Sequence, residues 1–218
     1  MFPAVATFVY SILLDDASWV YVLLQVFQIG FPILWVVFMQ RRTLQITKPN
    51  TRGLWVSLLF AFLVSAATLA LYLAWLKPTG FFEEPVGKIT EKVQQLGLGS
   101  PAKFIAFGVF VVLLHSFMEE YYWRWFVFGN LRDFVSLRTA IVLSSLAFMS
   151  FHVIHLVEFF GWRSPAVWLF APAVAIGGAV WAWIYHRSKT LYGPWISHLL
   201  IDIVIYVIGY DLIRKYLV

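Results

Sequence analysis

Six stretches of this chain are each about twenty mostly apolar residues or longer, enough to cross ~30 Å of hydrocarbon as a helix. They are Ala17–Met39, Gly53–Leu76, Pro101–Gly129, Thr139–Phe160, Ala166–Tyr185 and Leu191–Gly209. In lipid no water satisfies backbone N–H and C=O groups, so such segments must be helical. The expected fold is all-α, a polytopic transmembrane helical bundle. Phe2–Leu14 is short for a span. It fits a tilted span, a re-entrant piece or an interfacial helix, so the expected count is six to eight membrane-embedded helices.

Composition agrees. Hydrophobic residues make up 61% of the 218 and charged residues 12%, against about 45–50% and about 25% in soluble domains. Most connections are brief, which favours a single integral membrane domain over residues 1–218. The longest, Lys77–Pro101, contains Pro85 and Gly87 as breakers and then Ile89–Leu96, a candidate short surface helix. The opening residues carry neither a basic n-region nor a small-residue cleavage site, so no cleaved signal peptide is expected.

The formal charge of +5 does not indicate nucleic acid, because the basic residues are scattered over short loops. There they set topology, and they place Gln40–Arg52 on the cytoplasmic side by eight to seven. The chain has no cysteine, which removes disulfides, thiolate metal sites and a cysteine nucleophile.

Ionisable residues inside spans almost always face a bundle interior or a wet cavity. Here they are His115, Glu119, Glu120, Arg124, His152, His155, His198 and Asp202. Glu120 and Arg124 are i,i+4 neighbours and can pair on one helix face. Glu119 lies about 100° further round, on the His115 face. His198 and Asp202 are again i,i+4, and His152 and His155 are i,i+3. A carboxylate and an imidazole suffice to activate water, and a second imidazole can stabilise the oxyanion formed when water attacks a carbonyl. Those are the parts of an amide hydrolase that uses no serine, cysteine or metal.

Other readings stand beside this one. Glu120–Arg124 serves equally as a structural bridge, and His198–Asp202 as an interhelical hydrogen-bond site. His115 and His155 are structural, pore-lining or catalytic. Facing helices can also assemble a metal site, although no H-E-x-x-H is present. The intramembrane serines have no G-x-S-x-G setting and suit helix packing. The aromatic run "YYWRWF" reads as an interface belt.

Three motifs occur in order: "EEYYWR" (Glu119, Glu120, Arg124), "FMSFH" (Phe148 to His152) and "HLLID" (His198 to Asp202). Together, over a core of about residues 103–209, they resemble the CPBP family of intramembrane proteases, which includes the type II CAAX prenyl endopeptidases and bacteriocin-immunity-related proteins. The resemblance implies a metal-independent, cofactor-free glutamic-type endopeptidase. It implies that Glu119 and His152 activate water, that His198 and Asp202 form the oxyanion site, and that Arg124 orients the glutamate pair. Asp202 cannot donate a hydrogen bond unless protonated, so orienting His198 is its alternative role. Phe151 to His155 is a competing frame for the second motif.

The expected substrate is a peptide or membrane-anchored protein; a CAAX-like tail is what the resemblance alone suggests. The expected setting is a multi-pass protein in contact with membrane lipid, in a prokaryotic plasma membrane, with no nucleic-acid partner. The alternative is a non-enzymatic immunity, scaffold or transport-like protein that binds through the same polar cavity. Neither an inverted repeat nor paired broken helices mark a transporter.

Overall fold

A computed structural model of the protein describes residues 18–43 and 50–218, with side chains from Val26 onward. The Phe2–Leu14 segment lies outside the described residues. Every regular element among those residues is helical. The first helix, α1, runs Ser18–Leu34 and widens over Trp35–Met39. It is followed by α2 (Leu54–Leu76), α3 (Glu83–Gln95), α4 (Pro101–Leu131), α5 (Leu137–Phe160), α6 (Pro165–Ser188) and α7 (Tyr192–Ile213). A 3₁₀ turn, Arg214–Tyr216, follows α7.

Among the described residues, five helices, α2 and α4 to α7 with its 3₁₀ turn, are long and apolar enough to cross a membrane. Their outer faces show Leu59, Phe62, Leu63, Leu146, Ile176 and Val207. Such surface is unfavourable in water and needs lipid around it. The protein is a multi-pass integral membrane protein with an all-α fold.

Proline and glycine act differently from expectation in the longest connection. Helix α3 begins at Glu83 and takes in both Pro85 and Gly87. Proline is harmless there because the first four N–H groups of a helix have no intrahelical acceptor. Glu83 and Glu84 in the same turn favour the start through the helix dipole.

The helices form two compact units. The first comprises the described residues up to Asn50 together with Met118–Leu191. Its centre is the hairpin of α5 and α6. Ser136 caps α5 by accepting from Thr139 N–H at 3.3 Å, and Ser164 caps α6 by accepting from Ala166 N–H at 3.3 Å. Small residues bring the two backbones close: a Cβ on Gly178 would meet Phe148 Cδ1 at 3.2 Å and Ser145 Cα at 3.4 Å. The hydroxyls of Ser144 and Ser145 both bond Ile141 O in their own helix, a packing role. Helix α1 meets the end of α4 through Phe31 against Phe126, the Gln40–Asn130 hydrogen bond and the Arg42–Asp133 ion pair.

The second unit comprises Thr51–Phe117 and Tyr192–Val218. Here α7 packs on α2, α3 and the start of α4. Tyr206 stacks on Phe104 at 4.6 Å between ring centroids and donates its hydroxyl to Phe104 O at 2.6 Å. Beneath that ring lies Gly108, where a Cβ would collide with ring carbons of Tyr206. Tyr206 is held at both ring and hydroxyl, so Gly108→Ala is expected to destabilise the protein by about 1–3 kcal/mol through overpacking. Thermal unfolding in detergent measures this, and an unchanged midpoint would refute it.

Candidate active site

The glutamate-bearing turn of α4 is bracketed by irregular helix. Ser116–Glu120 is a regular α-turn, while Val111–His115 before it and Tyr121–Phe128 after it are wide, with i→i+5 bonding. Wide turns loosen the carbonyl ladder and recur at functional sites. Side chains take up carbonyls in both. Trp195 Nε1 donates to Leu113 O at 3.1 Å, and Asn130 Nδ2 donates to Phe126 O at 2.6 Å.

Within the first unit, Glu120 and Arg124 pair with Nε–Oε2 at 3.1 Å. Glu120 is 0% exposed and Arg124 2%. The guanidinium lies against two neighbouring rings, 4.5 Å from the centroid of Phe148 and 5.1 Å from that of Trp181. A desolvated cation gains about 2 kcal/mol from an aromatic face. That helps offset a desolvation penalty which the ion pair alone does not cover. Glu119, 3% exposed, is also within Coulombic reach of Arg124. One cation thus serves both carboxylates.

Phe148 links this cluster to His152. Its ring underlies Arg124 and meets the His152 ring edge-on at 4.4 Å, and its carbonyl lies 3.1 Å from His152 Nδ1. A carbonyl only accepts, so Nδ1 carries the hydrogen. In the neutral ring that leaves Nε2 with the lone pair. His155 is placed otherwise. Its side chain is 43% exposed, with Nδ1 3.8 Å from Glu158 Oε2 on its own helix. Its partner ring is Phe151, at 4.8 Å.

Within the second unit, His198 is buried and its Nε2 stands 3.6 Å from Asp202 Oδ2. That is an electrostatic separation, longer than a hydrogen bond. Trp195, one turn earlier, ties this start of α7 to α4 through Leu113 O and an edge contact with Phe117 at 5.3 Å. His115 ends the wide turn Val111–His115 of the same unit. Among the described residues, no group of three or more His, Asp or Glu side chains is arranged to hold a metal ion.

Residues 101–204 match the family model described as Type II CAAX prenyl endopeptidase Rce1-like. Over that stretch the chain is similar to this family. The Rce1-like stretch takes in α4, α5, α6 and α7 as far as Val204, and with them all three motifs; residues 1–100 and 205–218 lie outside it. No curated protein and no solved structure matches the chain.

Two features of the Rce1-like stretch escaped the sequence reading. The run "YYWRWF" is not simply an interface belt: Tyr122, Trp123, Arg124 and Phe126 are buried. Trp123 stands edge-on to Phe148 at 5.6 Å. The other is Trp181, which belongs to none of the three motifs yet gives Arg124 a second aromatic neighbour. Its only sequence signal is position: Trp181 lies three residues beyond Gly178, where a Cβ would press on Phe148.

The ring contact gives a direct expectation. Trp181→Leu should lower stability by about 2 kcal/mol, the worth of one desolvated cation–aromatic contact, while Trp181→Phe recovers most of it. Unfolding midpoints for the two variants would rank wild type, Phe, Leu. Equal midpoints for Leu and Phe would show that the aromatic face is not what matters.

Proposed function

We propose that this protein is an intramembrane glutamic-type endopeptidase in which Glu119 and His152 activate water against a peptide bond of a membrane-associated protein or peptide. The observation that carries this reading is the arrangement around Arg124. Glu120 is matched by the guanidinium, Glu119 lies buried alongside, and Phe148 joins Arg124 to His152, its ring against both and its carbonyl at His152 Nδ1.

The steps balance as a hydrolysis. A water held by Glu119 and His152 loses a proton to Glu119 while its oxygen bonds to the scissile carbonyl carbon. His198 donates to the resulting oxyanion, as the resemblance implies, and Asp202, a carboxylate that cannot donate unless protonated, orients His198. When the tetrahedral intermediate collapses, the C–N bond breaks and the Glu/His pair returns a proton to the leaving amine. The net change is one water added across one amide. Arg124, Glu120, Phe148 and Trp181 hold the glutamate turn in register through this cycle.

The substrate is a CAAX-like tail or a similar membrane-anchored segment, entering from the cytoplasmic half of a prokaryotic plasma membrane. Helix α1 supplies a sixth membrane-embedded helix, and residues 1–218 act as one membrane domain whose motif-bearing core is about 103–209. The test is cleavage by the purified protein in liposomes. Membrane-anchored peptides with CAAX-like tails are offered to wild type and Glu119→Gln, with and without chelator, and products are identified by mass. Wild type cuts in both conditions and the variant does not. Near-normal cleavage by the variant overturns the mechanism, and chelator-sensitive cleavage restored by zinc overturns metal-free water activation.

A further inference from the structure

A second polar cluster lies at the far end of α2 and α7, wholly within the second unit, and nothing in the proposed peptidase chemistry uses it. Asp211 is its hub. It accepts from Tyr72 Oη at 2.6 Å and Lys77 Nζ at 2.5 Å, and Arg214 Nη2 stands 3.4 Å from its other oxygen. Beside it opens a pocket of about 230 Å³, far more than the ~15 Å³ that one water needs. Leu76, Phe82, Val86 and Leu212 supply its apolar lining, and Lys77, Lys215, Glu83 and Tyr216 its polar groups. The turn at Gly80, with φ +69°, closes one side, where the Glu83 carboxylate folds against it.

We infer that this pocket binds the headgroup of an anionic glycerophospholipid, with the phosphodiester at Lys77 and Lys215 and the glycerol and upper acyl chains over the apolar lining. Three observations support that occupant. The pocket lies where two membrane-crossing helices give out, α2 at Leu76 and α7 at its 3₁₀ turn, which is headgroup level. Its charges leave one positive in excess: Lys77, Arg214 and Lys215 stand against Asp211 and Glu83. That matches a singly charged phosphodiester. Finally, the apolar lining is of no use to a free phosphate but suits a lipid. The cations are also pre-positioned. Lys77 spends one donor on Asp211 and keeps two, and Lys215 lies over the Tyr216 ring at 4.9 Å.

Lipid retention by the full chain in detergent, read by native mass spectrometry, tests the inference. The probes are phosphatidylglycerol, phosphatidylcholine and soluble glycerol phosphate. Phosphatidylglycerol is expected to stay bound where the other two do not. Lys215→Glu should weaken its retention by about fivefold or more, since one basic group near a headgroup contributes about that factor. Lys215→Arg should keep it. Both substitutions sit on an exposed side chain outside the Asp211 network, so the fold is not at risk. Equal retention of the two lipids, or indifference to Lys215→Glu, would overturn the site. Glycerol phosphate binding as well as the lipid would reassign it to a soluble phosphate ester.

Discussion

Glu119→Gln is expected to leave a folded, membrane-inserted protein whose cleavage rate is lower by about 10²–10⁴-fold, the usual contribution of a positioned general base. The change replaces one carboxylate oxygen by an amide nitrogen and keeps size and shape. It removes the ability to accept a proton from water. Arg124 retains its nearest anion, because the 3.1 Å contact is to Glu120. The loss should therefore appear in kcat, with the unfolding midpoint near wild type. A variant that unfolds early while its surviving fraction turns over normally would make Glu119 a structural carboxylate instead.

Arg124→Met is expected to give the largest stability loss in the protein, about 3–5 kcal/mol, because it strands a buried Glu120 charge. Breaking one partner of such a pair is worse than losing both. The double variant Glu120→Gln/Arg124→Met should therefore recover much of the midpoint while remaining inactive. Arg124→Lys should not substitute, since an ammonium lacks the planar group that packs against Phe148 and Trp181. Thermal unfolding of the three variants in one detergent gives the comparison. A double variant no more stable than Arg124→Met alone would mean that the cost lies in lost packing, not in the unmatched carboxylate.

These two experiments separate the paired glutamates, and much of that separation was legible in the sequence. Spacing alone puts Glu120 and Arg124 on one face and turns Glu119 away. The ordered motifs pointed to the family over the stretch that the family model matches. The apolar runs were equally plain: from Gly53 onward each was found as a helix, with ends shifted by a few residues. Less legible was anything depending on a partner far along the chain. Trp181 reaches Arg124 only because Gly178 lets α6 close on α5. The aromatic run after Glu120 has no periodic signal for burial, because wide turns change the phase of α4. The Asp211 cluster joins residues more than a hundred positions apart.

The sequence by itself determined that this chain is helical and membrane-embedded. Hydrocarbon leaves the backbone no other way to satisfy its polar groups, and length and hydropathy are local properties. It also marked which side chains are candidates for chemistry, since a charge is tolerated at membrane depth only where a partner meets it. Tertiary structure decided what those side chains are held by. It set Arg124 against two rings, committed one nitrogen of His152 to the Phe148 carbonyl, and opened a cationic pocket beside Asp211. Each of these depends on distances between helices. Such distances come from the packing of small residues and irregular turns over the whole fold, which no single segment encodes.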